Sequence, residues 1–156
     1  MKFLQAEGDH LVFQIGRREK NLFFELVKLY PLVPPAHHQI SGTVDSPQMR
    51  ANQQLLDEAL NEHRAQNKKT LEGMLADPNR FVESATGYRL LLRAPDLEWL
   101  LQVLNDIRVG SWLVLGSPDE KQGKRLRLSL QNARYLWAME LSGHFQSVLL
   151  SAWGGA

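Results

Sequence analysis

The chain has 156 residues, a length that fits one domain and lets roughly 70% of the unfolded chain's surface be buried without a covalent staple. It contains no cysteine, which excludes disulfides, thiolate zinc sites, thiol nucleophiles and cysteine-based redox sensing. Eighteen basic against seventeen acidic residues leave a net charge of +1, so no overall field draws the chain to nucleic acid or anionic lipid.

Residues 3–7 and 10–16 are two short runs joined by Gly8-Asp9, a pair suited to a two-residue hairpin turn. In the second run Leu11, Phe13 and Ile15 fall on one face and Val12 and Gln14 on the other, the period of a strand covered mainly on one side. From Arg17 the period becomes helical, through Leu22, Phe23, Leu26, Leu29 and Tyr30, until Pro31 stops it. Residues 31–47 hold Pro31, Pro34, Pro35, His37, His38 and Gly42 without either period, which reads as a long loop of the kind that is functional or disordered. Ser46 followed by Pro47 is an N-cap with proline at the first helical position. It opens a long, half-buried helix with Met49, Leu56, Leu60, His63, Leu71, Met74 and Leu75 inward, a break expected near Asn67, and a stop at Asp77-Pro78.

Residues 88–93 read as a third strand between Gly87 and Pro95, pairing with the hairpin. Asp96 then caps a helix with Leu97, Leu100, Leu101, Leu104, Ile107, Trp112 and Leu115 on one broad face and Trp99, Val103, Gly110 and Leu113 opposite. Gly116 ends it, residues 117–123 make a polar turn, and a final helix carries Leu130, Ala133, Trp137, Leu141, Phe145, Val148, Leu149 and Ala152 in step. The expected fold is α+β, mainly α, in one domain over 1–156: a hairpin and third strand beside about four helices, with the last two as a central antiparallel pair.

Arg108 lies at helical step from Leu101, Leu104 and Trp112, so burial is expected, and a buried guanidinium needs a partner. Asp106 is turned about 200° from it and cannot serve; Glu140 in the final helix is the better candidate, and Glu140 shares a face with His144. Asn105, Asp106, Arg108, Glu140 and His144 thus form either a polar core network or a ligand site. No metal and no cofactor are expected, because His63 has no second ligand on its face and adjacent His37 and His38 diverge in an extended segment. Gly116 to Lys124 has the wrong spacing for a phosphate loop, and no serine stands in a nucleophile elbow. Lys121, Lys124, Arg125, Arg127 and Arg134 are the densest basic run, a solvated surface first and a nucleic-acid contact only as a disfavoured alternative.

The hairpin leading into an apolar helix (residues 11–29), the run Trp99-Leu-Leu-Gln-Val-Leu-Asn-Asp-Ile-Arg108 and the tryptophan-containing last helix together resemble a family of uncharacterised bacterial helical domains. That family is a domain of unknown function common in actinobacteria and often encoded near an adaptor of the Clp protease. The resemblance implies an α+β helical fold, a bacterial cytoplasmic setting and a link to protein turnover or regulation, and it supplies no catalytic residue. Gly110-Ser111-Trp112 and the Pro/His loop depart from the family's pattern, which puts a shared role in doubt.

Residues 1–15 carry charges before any long apolar run, unlike a secretory signal, and the apolar stretch 109–116 is far short of the roughly 20 residues needed to span a bilayer. A cytoplasmic, non-catalytic protein-interaction or regulatory module is therefore expected, engaging its partner through the 31–47 loop or a helical face. Trp99 and Val103, opposite the main stripe, call for a second layer or a partner chain, which allows a homodimer. The alternatives are a small ligand-binding or enzymatic domain with a polar site near Arg108, and a nucleic-acid-binding regulator using the 121–134 run.

Overall fold

The structure, a computed structural model, describes residues 1–34, 46–123 and 125–154. His37, His38 and Lys124 lie outside the described residues.

The elements follow in the order β1 (Lys2–Glu7), β2 (His10–Ile15), α1 (Arg17–Val27), α2 (Pro47–Ala76), β3 (Phe81–Ser84), β4 (Gly87–Arg93), α3 (Ala94–Val114) and α4 (Ala133–Trp153). The strands form one antiparallel sheet in the order β1-β2-β4-β3. The anticipated third strand, β4, pairs with the hairpin from His10↔Arg93 to Ile15↔Tyr88. A further strand, β3, was not anticipated: its four residues bury only Phe81, too little for an alternation to be read. Phe13 and Ile15 are fully buried, as their face required. Val12, assigned to the open face, is fully buried too, at the middle of β2 between Gln5 and Leu91.

The hydrophobic core collects Phe13, Leu90 and Leu92 from the sheet, Phe23 and Leu26 from α1, Leu100, Leu104 and Ile107 from α3, and Phe145 and Leu149 from α4. α3 and α4 pack along their length and run antiparallel, since Trp112 near the end of α3 neighbours Met139 near the start of α4 while Leu97 neighbours Trp153. On the side of α3 that needed a second layer or a partner chain, Val103 is fully buried and Trp99 is half-buried against the same core. The apolar positions on both sides of α3 are those of a helix enclosed within its own domain.

Two helix boundaries differ from the sequence reading. The second helix does not break at Asn67; this side chain is buried and donates to the Tyr30 hydroxyl at 3.3 Å, so a tertiary bond holds a weak helix former in place. Ser46 does cap it, accepting from the Met49 amide at 3.1 Å. The last helix starts only at Ala133, and Leu130, expected inward, is fully exposed. Asn132 bonds back to the Arg127 carbonyl and the Ser129 amide, the local polar competition that disfavours helix. Among the described residues no helix is long and apolar enough to cross a membrane.

Candidate functional site

The five polar residues singled out in the last two helices divide between two sides of α3. Asn105, Arg108, Val109 and Trp112 on α3 and Glu140, Gly143, His144 and Ser147 on α4 each follow the i, i+3, i+4, i+7 spacing of one helical stripe. With Met139 they line an open groove of about 690 Å³ between the helices. The inward stripe of α3, through Leu100, Leu104, Ile107 and Ser111, lies beside it and is buried.

Arg108 therefore does not face the core, and the expected buried pair with Glu140 is absent. One step of about 100° from Ile107 carries the side chain to the rim, where it is exposed and Nη1 donates to Gln146 Oε1 at 3.4 Å. Gly143 lies beneath it: a Cβ at that position would stand 3.9 Å from the guanidinium, ordinary van der Waals contact. Glu140 makes no ion pair among the described residues. His144, expected to pair with Glu140, instead places Nε2 3.8 Å from Glu19 Oε1 of α1.

Asp106 lies on the other side, where the 200° rotation puts it, and it is the structural member of the group. Its Oδ1 accepts from the Leu32 amide at 2.6 Å and the Val33 amide at 3.2 Å. Arg64 of α2 completes the cluster, donating to the Val33 carbonyl at 2.6 Å and standing 3.8 Å from Asp106 Oδ2. The backbone comes this close to α3 because position 110 is glycine; a Cβ there would meet the Leu32 carbonyl carbon at 2.8 Å. A buried carboxylate network that fixes helix register was expected of Arg108, and Arg64 supplies it. No spacing could have shown this, since Arg64 and Asp106 stand on different helices.

Glu19 ties the groove to the start of α1. Burial disfavours its charge, but hydrogen bonds from the Met1 ammonium and the Gly16 amide, together with His144, outweigh it and hold the carboxyl below its ordinary range. Asp96 at the start of α3 behaves alike. Burial opposes ionisation there, while the Arg93 amide at 2.9 Å and the Arg80 guanidinium at 2.5 Å favour it more. Both folded values lie below the unfolded ones, so this contribution to stability is complete above the ordinary values of 4.5 and 3.8 and lost as pH falls through the lower folded values. Urea midpoints are accordingly expected to decline on acidification past those values, with a shallower decline in Asp96→Asn.

The groove offers a guanidinium, an imidazole, an amide, a hydroxyl and the Glu140 carboxylate, with Trp112 and Met139 as apolar walls. The donors are suited to holding a carboxylate, and Glu140 to a cationic group beside it. No cluster of three or more His, Asp or Glu among the described residues could hold a metal ion. Arg125, Arg127 and Arg134 do not join the groove; Arg134 stacks on the Tyr135 ring, with its guanidinium 4.7 Å from the centroid. The parts missed from sequence are Val109, Met139, Gly143 and Ser147, whose matched stripes on two helices were the available signal. No family model, curated protein or solved structure matches the chain.

Proposed function

We propose that the chain is a cytoplasmic, non-catalytic recognition module, and that its recognition face is the α3–α4 groove, where Arg108 holds a carboxylate of a partner protein. One observation carries this reading: Arg108 spans an open groove over a glycine without a carboxylate partner among the described residues. A guanidinium is the side chain best matched to bidentate carboxylate recognition. His144 and Asn105 supply further donors, and Glu140 at the rim favours ligands carrying a cationic group beside the acid. The resemblance of residues 11–29, 99–108 and the last helix to a family of uncharacterised bacterial helical domains is compatible with a module of this kind. A second reading places a small free acid in the groove, favoured by a volume within the ordinary range for small-ligand sites.

Thermal-shift titrations with glutarate and with a short peptide ending in glutamate test both readings. Stabilisation should grow with ligand concentration, reaching about 2.7 kcal/mol at a hundred times the dissociation constant. In Arg108→Ala the unliganded stability should stay within about 0.5 kcal/mol of the parent, because the side chain is exposed, while the ligand-induced shift disappears. Binding of the peptide alone supports the protein partner, and binding of glutarate alone supports the small acid. Equal shifts in parent and variant, or none with either probe, reject the groove as the recognition face.

A further inference from the structure

Ahead of α4 the sequence reads Arg125-Leu126-Arg127-Leu128-Ser129-Leu130, polar and apolar residues in alternation, the period of a strand and not of a helix. Residues 125–129 contain no helix, turn or bend, so the chain runs straight, yet among the described residues no strand pairs with them. Leu128 is 60% exposed and Leu130 fully so. Leu126 is half-buried. A straight, alternating, unpaired segment with Leu128 and Leu130 in solvent is an edge strand without a sheet.

One of its two edges is already satisfied. Asn132 folds back so that its Nδ2 donates to the Arg127 carbonyl at 2.8 Å and its Oδ1 accepts from the Ser129 amide at 2.7 Å, the two bonds a neighbouring strand would make. Main-chain groups of alternate residues in a strand point to opposite edges. The amides and carbonyls of Leu126 and Leu128 therefore point to the other edge, where they have no hydrogen-bond partner among the described residues.

The charges decide which strand can add there. With Leu126 and Leu128 in the hydrogen-bonded pairs, Arg127 falls in the closer, non-hydrogen-bonded pair, so the side chain across from it touches the guanidinium. An acid at that position is attracted and a base repelled. A second copy of this segment would gather Arg125 and Arg127 of both strands on one ribbon face with no acid among them.

We infer that residues 125–129 are a docking strand that pairs, edge to edge, with an extended segment of a partner protein in which apolar residues alternate with Asp or Glu. This surface is separate from the α3–α4 groove, so Arg108→Ala should leave it unchanged.

The probe is a fluorescein-labelled synthetic peptide alternating valine with glutamate, read by fluorescence anisotropy with the full chain. Saturable binding is expected, at least about tenfold weaker for the valine–lysine peptide and for Leu128→Pro, which removes a free-edge donor. Leu128→Val should bind like the parent, and circular dichroism melting of Leu128→Pro should be unchanged, since neither that amide nor that side chain supports the fold. Arg127→Glu should reverse the preference towards the lysine peptide, a test that stands even if the proline variant folds poorly. Four results would overturn the inference: no binding of the glutamate peptide, equal binding by Leu128→Pro, equal binding of a peptide with its glutamates in one block, or displacement by duplex DNA. A concentration-dependent dimer that Leu128→Pro dissociates would also overturn it, assigning the edge to a second copy.

Discussion

Replacing Phe23 with alanine is expected to destabilise the chain by about 3–5 kcal/mol, the cost of deleting a fully buried aromatic ring and leaving most of its volume empty. Phe23 is fully buried, and its ring centroid lies 5.2 Å from that of Phe145 in α4 and 6.4 Å from those of Phe24 and Phe81. It joins the first helix, the last helix and the sheet's far edge strand, so no single element can shift to close the cavity without leaving another. Domains of this kind have about 5–15 kcal/mol in total. The variant should therefore unfold at a much lower urea concentration with an unchanged slope. Phe23→Leu, which keeps part of the volume, should lose less than half as much. A loss below about 1 kcal/mol for the alanine variant would show that the ring is not a keystone of this core.

That the core meets at Phe23 was legible in part. Phe23 and Leu26 stood in the first helical stripe, and Leu100, Leu104, Phe145 and Leu149 in the stripes of the last two helices, because burial imposes a period that survives in a single sequence. The fold class and the pairing of α3 with α4 followed from those stripes. What periodicity does not carry is the long-range polar bond. Asn67 looked like a helix break because its hydroxyl partner Tyr30 is 37 residues away. Arg108 looked buried because its neighbours are leucines, whereas a residue one helical step from a buried stripe can as easily lie on the rim as in the core. Four of the five polar residues read as one group, Asn105, Arg108, Glu140 and His144, do share a groove; Asp106 was the exception, and its partner stands on a different helix.

Asp106→Ala is expected to cost about 2–4 kcal/mol, in contrast to the near-neutral Arg108→Ala two residues along the same helix. The carboxylate is the common acceptor for the Leu32 and Val33 amides of the chain that follows α1, and the charge beside Arg64. Its removal leaves two amides without their acceptor and a guanidinium that is only 13% exposed without its counter-charge. Asp106→Asn separates these effects. Its amide oxygen can still accept from Leu32 and Val33, while the charge next to Arg64 is gone, so the loss should fall to roughly half. Adding Arg64→Met to Asp106→Ala should then cost less than the sum of the single changes, because the stranded guanidinium is removed with its partner. Strict additivity would mean that Arg64 and Asp106 act independently, and that the chain leaving α1 is held by the close approach at Gly110 and not by this ion pair.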